Sequence, residues 1–191
     1  MLDLAHNQQL LRSTTGNGKD SSMSSVRTSR TTWIARHSSP IVNAIIRRAA
    51  DVLKIDEALM RHRTPEEYQD LPNNRPINED FQLVHYDKTQ EYTAHHDFSY
   101  PDTRPNTPAR SINLCIYLNT VEEGGQTLFP RWRNAETSDG IKARPVKGKA
   151  MIFYMKNPDG NLDDLSQHAA LPVIEGEKWF ANLWTHDPWR D

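Results

Sequence analysis

The chain has 191 residues, of which 36% are apolar and 25% are charged, and its net charge is −2. This length suits one domain with a substantial core, and the balanced charge does not indicate nucleic-acid binding. No apolar run is long enough to span a bilayer, and the single cysteine, Cys115, excludes an intrachain disulfide.

The first regular element that the pattern predicts is an amphipathic helix that begins after Ser39. Ser39 suits the N-cap position, and Pro40 suits the first helical position. The apolar side chains expected on the buried face are Ile41, Ile45, Ala49 and Val52. Residues 61–78 contain three prolines and predict an irregular connection.

Strands dominate the rest of the chain. Alternating apolar positions predict strands near 80–87, 90–98, 110–119, 126–129, 149–155, 167–174 and 178–186. Cys115 lies in one of them and is expected to be buried. Early helices followed by many short strands predict a mainly β fold with flanking helices (α+β). The expected architecture is a double-stranded β-helix, or jelly-roll barrel, with the helices outside one sheet.

Two polar stretches interrupt the predicted strands. Residues 99–108 are rich in proline and suit either a mobile lid or an inert connector. Residues 131–144 form a second polar insertion to which the sequence gives no function.

The pattern that carries chemistry is His95-His96-Asp97. Side chains alternate along a strand, so His95 and Asp97 point the same way and His96 points the other way. A distant His168 would complete a 2-His-1-carboxylate set, which leaves three positions of an octahedral ion open, as in non-haem Fe(II) oxygenases. The same residues also fit two solvated histidines beside an acid, since His-x-Asp is common by chance.

A lysine follows the distal histidine. Apolar alternation on both sides of residues 175–178 predicts a β-hairpin that would bring His168 and Lys178 to one pocket. The Lys178 ammonium could there bind one carboxylate of a dicarboxylic acid such as 2-oxoglutarate. The alternative is a turn lysine in water.

Taken together, these motifs resemble the catalytic domain of prolyl 4-hydroxylases, within the 2-oxoglutarate- and Fe(II)-dependent dioxygenases. The matching blocks are residues 26–29 (Val-Arg-Thr-Ser), 82–92, 124–130 (Gly-Gly-Gln-Thr-Leu-Phe-Pro), 166–169 and 178–179. The resemblance covers residues 22–187, and we expect residues 1–191 to be a single domain of this family. Residues 2–11 resemble the tail of a helix, so we expect a domain truncated at its N-terminus, and the family's compartment is the endoplasmic reticulum.

The resemblance also implies roles for individual residues. The implied Fe(II) ligands are His95, Asp97 and His168. Lys178 would pair with the far carboxylate of 2-oxoglutarate. Tyr86 and Thr127 are weaker candidates to hydrogen-bond that cosubstrate, and they suit a packed tyrosine and a loop hydroxyl equally well.

Four further residues match positions that line the peptide groove of prolyl hydroxylases: Tyr92, Arg110, Trp184 and His186. An arginine donor and flat aromatic walls suit a proline-rich peptide in the polyproline II conformation, which exposes carbonyl groups and proline rings. Arg110 could instead support a loop carboxylate, and Trp184 could be ordinary core.

The implied activity is procollagen-proline 4-dioxygenase-like hydroxylation of peptidyl proline at C4. It would consume O2 and 2-oxoglutarate, use L-ascorbate, and release succinate and CO2. Asn113 replaces a hydroxyl residue that the family often has, and residues 181–184 (Ala-Asn-Leu-Trp) replace the more usual Ala-Thr-Lys-Trp.

These departures leave other functions open. One is an oxygenase that acts on another peptide residue or a small molecule, and another is an inactive metal- or peptide-binding module. The ligand types also suit Mn²⁺, Co²⁺, Ni²⁺ or Zn²⁺, and the oligomeric state stays open.

Overall fold

The structure is a computed structural model that describes residues 1–15, 22–23, 25–67, 69, 74–98, 110–134, 136 and 138–186. Its helices are α1 (Leu2–His6) and α2 (Pro40–Leu53), with 3-10 turns at Arg36–Ser38, Glu57–Met60, Pro65–Glu67 and Asp164–Ser166. The strands are β1 (Leu11–Arg12), β2 (Thr14–Thr15), β3 (Ser22–Met23), β4 (Arg30–Ile34), β5 (Phe81–Tyr86), β6 (Tyr92–His95), β7 (Arg110–Tyr117), β8 (Glu123–Gly124), β9 (Thr127–Phe129), β10 (Ile141–Ala143), β11 (Ala150–Tyr154), β12 (His168–Ala170), β13 (Val173–Glu175) and β14 (Lys178–His186).

The strands form two main antiparallel sheets. The larger has the order β1-β4-β5-β14-β7-β11, and the smaller has the order β10-β9-β12-β6. Two further strand pairs, β13 with β8 and β2 with β3, complete the described part of the fold. The chain passes from one main sheet to the other between β5 and β6 and again between β6 and β7, as a jelly roll requires. The predicted mainly β jelly-roll class is confirmed.

Helix α2 covers the outer face of the larger sheet, as predicted. It begins at Pro40 after an extended Ser39 and ends at Leu53, which Lys54 follows in the left-handed conformation. Its buried side chains are Val42, Ile46, Ala49 and Ala50, and they pack with Phe81, Leu83, Ala181 and Leu183 of the sheet. The predicted buried face was partly wrong, because Ile41 and Val52 are exposed. The two alanines give the helix a flat surface on which to approach the sheet.

Strand β14 shows how the larger sheet separates its two faces. Trp179, Ala181 and Leu183 pack on the helix side, whereas Phe180 and Trp184 belong to clusters inside the barrel. Asn182, between these last two, also lines the internal cavity. This two-residue period turns every second side chain of β14 toward the candidate site.

The predicted hairpin around residues 175–178 was wrong. Strand β13 pairs with β8, whereas β14 pairs with β5 and β7. The turn therefore carries the chain into a different sheet. Apolar alternation predicts strands but does not identify their partners. In the larger sheet, β14 lies between β5 and β7 and pairs with both.

Several elements differ in extent from the prediction. β6 ends at His95, so Asp97 lies in the bend that follows the strand. β4 was not predicted, and β10 lies inside the polar insertion of residues 131–144. The stretch 99–108, considered as lid or connector, falls outside the described residues. No helix in the described ranges is long and apolar enough to cross a membrane.

Candidate active site

Three side chains meet where β6 and β12 pair. His95 and His168 are cross-strand partners, and Asp97 follows two residues after His95. The Nε2 atom of His95 lies 3.5 Å from Oδ1 of Asp97, and the Nε2 atom of His168 lies 3.6 Å from Oδ2. One ligand atom from each residue lies within 4.8 Å of the others, so the cluster can hold one metal ion.

Backbone carbonyl groups orient both imidazoles. Nδ1 of His95 lies 2.8 Å from the carbonyl oxygen of Thr93, and Nδ1 of His168 lies 3.0 Å from that of Ser166. A carbonyl oxygen only accepts, so each Nδ1 carries the hydrogen and each Nε2 presents a lone pair to the cluster. This arrangement is typical of metal-binding histidines.

Burial and charge set the protonation states of the cluster. Burial lowers the pKa of His168 to about 4, which keeps its imidazole neutral. Burial alone would raise the pKa of Asp97, but the neighbouring His168 and His95 outweigh that effect and hold the pKa well below its usual value. Two imidazoles and one carboxylate form the donor set of a divalent ion.

His96, which the alternation separates from His95 and Asp97, contacts a different set of residues. Its Nε2 atom lies 3.3 Å from the backbone oxygen of Asp164, and its ring packs on Phe98 at a centroid distance of 4.5 Å. The ring borders the same cavity but stands outside the three-residue cluster.

The cluster opens into a cavity of about 440 Å³ inside the barrel. This volume is in the range of small-molecule sites. Eight of the ten residues proposed from the sequence line the cavity: Tyr86, Tyr92, His95, Asp97, Arg110, Thr127, His168 and Trp184. Lys178 and His186 do not line it, although each contacts residues that do.

Lys178 is buried below the cavity with only 1% of its surface exposed. Its Nζ atom has no hydrogen-bond partner among the described residues. Nζ lies 4.9 Å from the ring centroid of Phe180, 5.5 Å from that of Tyr86 and 5.6 Å from that of Tyr117. Burial lowers the pKa of Lys178 to about 7. A buried ammonium without a partner is costly, so this position favours an anionic ligand.

The two weaker cosubstrate candidates are both near Lys178. Tyr86 is buried, and burial raises its pKa to about 12, so it remains a neutral phenol. The Thr127 hydroxyl lies 2.7 Å from the hydroxyl oxygen of Tyr117. Tyr117 was missed by the sequence reasoning, although its inward position on the predicted strand 110–119 was a signal that could have found it.

The opposite end of the cavity carries an ion cluster. Arg110 Nη2 donates to Glu79 Oε2 at 2.7 Å, and Nε2 of His186 lies 3.1 Å from Glu79 Oε1. The Arg110 guanidinium lies 3.8 Å from the centre of a Trp184 ring. Burial would raise the pKa of Glu79, but its bonds to His186 and Arg110 lower the pKa to about 2. Sequence reasoning also did not identify Glu79. It is a carboxylate that Arg110 supports, as in the alternative role considered for that arginine.

Tyr92 connects this end of the cavity to the histidines. Its ring stacks on His95 with a centroid distance of 3.6 Å and an angle of 16°. The Arg27 guanidinium lies 5.0 Å from the Tyr92 ring centroid. Tyr92 therefore fixes the plane of His95, and Arg27 was a further residue that sequence reasoning did not identify.

A second cluster within the described ranges, His85, Asp87 and Glu177, also has donor atoms close enough for a metal ion. Nε2 of His85 lies 2.7 Å from Oε2 of Glu177 and 3.8 Å from Oδ1 of Asp87. However, Arg30 already pairs with Asp87, and Nδ1 of His85 is buried without a partner in the described structure. Metal-binding histidines almost always donate their second N–H, so this cluster lacks the support that His95 and His168 have.

Comparison with known proteins agrees with this geometry. Residues 81–186 match the model of the 2OG-Fe(II) oxygenase superfamily. Probable prolyl 4-hydroxylase 3 of Arabidopsis thaliana is 33% identical over 188 residues, which cover 91% of this chain and 58% of that protein. The chain spans about half the length of the curated relatives it matches.

Two solved structures share the fold. The viral collagen prolyl hydroxylase vCPH from Paramecium Bursaria Chlorella virus-1, solved as a 2OG complex, superposes with a TM-score of 0.63 at 28% identity, covering 83% of this chain and 78% of that one. A prolyl hydroxylase from Trichoplax adhaerens, in complex with a hypoxia inducible factor peptide fragment, has a TM-score of 0.62 at 17% identity and covers 97% and 74%. At that identity the second likeness shows the fold alone.

Proposed function

Because the chain belongs to the 2OG-Fe(II) oxygenase superfamily, we propose that it hydroxylates C4 of prolyl residues in an extended, proline-rich peptide. The observation that carries the proposal is the site's pairing of a His-Asp-His cluster with the buried, unpartnered ammonium of Lys178. The similarity to prolyl 4-hydroxylases supports the choice of proline as substrate.

In this proposal, separate residues bind the metal ion and the cosubstrate. His95, Asp97 and His168 hold Fe(II), and their donor set fits that ion. Lys178 pairs with the far carboxylate of 2-oxoglutarate, because an anion there supplies the charge partner that the ammonium lacks. When bound, iron and 2-oxoglutarate supply the oxidation by O2, in which one oxygen atom enters the C–H bond and the other enters succinate as CO2 leaves.

The residues around these groups bind and orient the peptide. Arg110 donates to a peptide carbonyl group, and Trp184 and Tyr92 offer flat surfaces to proline rings. Tyr86 and Thr127 remain candidates to hydrogen-bond the cosubstrate through their hydroxyl groups. His186 supports Arg110 by sharing Glu79.

Two further parts of the proposal rest on the likeness to prolyl 4-hydroxylases alone. One is a dependence of sustained turnover on L-ascorbate. The other is a location in the endoplasmic reticulum.

The test is succinate formation from 2-oxoglutarate with Fe(II), ascorbate and O2, with and without a polyproline peptide. We expect peptide-stimulated succinate, and His168→Ala should abolish it because the cluster loses one of its three ligands. His37→Ala, which changes an exposed histidine in another part of the fold, is the matched control and should keep full turnover.

Other outcomes select other functions. If succinate forms only with free metabolites, the substrate is a small molecule and not a peptide. Full activity of His168→Ala would exclude the metal cluster, and no succinate under any condition would favour a binding module. Mass spectrometry of the peptide should locate a gain of one oxygen atom at C4 of proline.

A further inference from the structure

Two positions at which the chain departs from the prolyl 4-hydroxylase pattern, Asn113 and Asn182, contact each other inside the barrel. Nδ2 of Asn113 lies 3.3 Å from Oδ1 of Asn182 and donates at 2.9 Å to Oδ2 of Asp97. Nδ2 of Asn182 in turn donates to Oε1 of Gln82 at 3.1 Å. The side-chain amides of Gln82, Asn182 and Asn113, on three neighbouring strands, thus form one line of hydrogen bonds. This line ends at Asp97, a candidate metal ligand.

The charge of Asp97 determines the direction of this line. An ionised carboxylate only accepts hydrogen bonds, so Asn113 must turn its NH2 group toward Asp97. That group also reaches Asn182, which must therefore present its oxygen, and Gln82 must then accept from Asn182. Cys115 fits this order, because its Sγ lies 2.8 Å from the same Asn182 oxygen and burial raises the pKa of the thiol, which stays protonated.

The same orientation leaves the acceptor atom of Asn113 without a partner. Its Oδ1 atom is buried and has no hydrogen-bond partner within the described residues. A buried, unsatisfied acceptor costs free energy. The side chain therefore leaves its acceptor unpaired while both of its N–H groups are used, one of them on Asp97.

The other donor to the same oxygen is Trp184, whose Nε1 lies 2.9 Å from Oδ2 of Asp97. Each oxygen of Asp97 faces one histidine, Oδ1 at 3.5 Å from Nε2 of His95 and Oδ2 at 3.6 Å from Nε2 of His168. Only Oδ2 also accepts two N–H groups, from Asn113 and Trp184. The two oxygens of Asp97 are thus unequal.

We propose that Asn113 is a positioning residue, which Asn182 and Gln82 hold in place. Its hydrogen bond keeps Oδ2 of Asp97 bound to the protein, so that Oδ1 is the single metal-ligand atom of Asp97. This inference rests on the proposed function, since it takes Asp97 as a ligand. It concerns how firmly the carboxylate is held, which is a property of these carboxamides and of Trp184.

The test measures Mn²⁺ affinity by electron paramagnetic resonance, together with the melting temperature of each metal-free protein. Asn113→Leu should weaken Mn²⁺ binding about 10- to 100-fold, the usual effect of removing a group that orients a ligand. Asn182→Leu, one contact further away, should weaken it less than about tenfold, and Gln82→Leu should leave it nearly unchanged.

This gradient distinguishes positioning from packing. The three side chains are almost equally buried, with exposures of 1% for Asn113, 6% for Asn182 and 4% for Gln82. A role in packing alone predicts similar losses of affinity that follow the losses of melting temperature. Such a result would overturn the proposal.

Two more variants complete the experiment. Asn113→Ser retains one donor and should recover part of the affinity lost in Asn113→Leu, and it also serves as the test if the leucine variant does not fold. Asp97→Ala should lose Mn²⁺ binding. If Asp97→Ala binds normally, the proposed metal site fails. If Asp97→Ala loses the ion while both Asn113 variants bind like wild type, only the positioning role of Asn113 fails.

Discussion

Glu79 holds Arg110 over a ring of Trp184. The carboxylate accepts from both Nε and Nη2 of the guanidinium, and the guanidinium carbon lies 3.8 Å from the centre of a Trp184 ring. Two-point pairing fixes the plane of the guanidinium as well as its position. The position of Arg110 in the cavity wall therefore depends on a carboxylate that does not itself line the cavity.

Glu79→Gln should raise the KM for a polyproline peptide about tenfold, because the amide lacks the negative charge and has only one acceptor oxygen, so Arg110 loses its two-point pairing. The KM for 2-oxoglutarate should not change, since Lys178 contacts the rings of Tyr86, Tyr117 and Phe180 instead of the Glu79–Arg110 pair. Steady-state kinetics with each substrate varied in turn gives both values. Glu57→Gln, which removes a carboxylate paired with Arg36 on the surface, is the matched control. An equal rise in both KM values would contradict this role.

Lys178 should make 2-oxoglutarate binding depend on pH. Its pKa is lowered to about 7 in the ligand-free site, and the ammonium must be charged to pair with the cosubstrate. The dissociation constant of 2-oxoglutarate with Mn²⁺ is therefore expected to rise by up to about tenfold per pH unit above pH 7. Calorimetric titrations between pH 6.5 and 9, roughly, would measure this slope. In Lys178→Met the slope should disappear and the affinity should be weak throughout.

The same lysine should affect the free energy of unfolding of the ligand-free protein. Its pKa is about 7 in the folded state and near 10.5 when unfolded, so between these values the unfolded chain binds more protons. Stability should therefore rise with pH across this window, and the penalty should be fully present below pH 7. Lys178→Met should remove this rise, which is on the order of a few kcal/mol.

Urea denaturation at several pH values would measure the effect. The exposed Lys142→Met on β10 is the control and should keep the wild-type slope. A parallel slope in Lys178→Met would show that another group is responsible.

Two adjacent glycines should respond differently to alanine. A Cβ at Gly124 would clash with the backbone oxygen of Pro172 and lie 2.7 Å from the nitrogen of Ile174, at a φ of +78°. At Gly125, with a φ of +67°, the nearest atoms are side-chain carbons of Val121 at 3.4 Å and Lys178 at 3.5 Å.

Gly124→Ala should therefore cost about 2–4 kcal/mol of stability, because the β8–β13 backbone must move. Gly125→Ala should cost only the conformational strain of about 1–2 kcal/mol. Chemical denaturation of both variants checks the difference. Equal losses would mean that the close approach of Gly124 to Pro172 is easily relieved.

The outer cluster of His85, Asp87 and Glu177 should bind no metal tightly. Equilibrium dialysis against Mn²⁺ should give one bound ion in wild type and none in His168→Ala, because only the inner histidines have their Nδ1 atoms supported. Glu177→Gln should still bind one ion. A residual ion in His168→Ala that Glu177→Gln removes would assign a real site to the outer cluster.

Local periodicity and the family resemblance each contributed part of the candidate site. The two-residue alternation separated His95 and Asp97 from His96, and the resemblance to prolyl 4-hydroxylases supplied His168, Lys178 and the residues of the cavity wall. The alternation of apolar residues also predicted a strand at 178–186, which are the bounds of β14 in the structure. Helix α2 was predicted in place, but with Ile41 and Val52 on the wrong face, since its true contacts depend on the sheet beneath it.

The sequence by itself determined the fold class and the burial of Cys115, because these depend on side chains only a few positions apart. Only the tertiary structure decided that β13 and β14 join different partners, that Glu79 reaches Arg110 and that Asn113 contacts Asn182. These pairings join residues far apart in the chain. Their choice depends on how the two sheets and the helix exclude water together, and no local pattern encodes that packing.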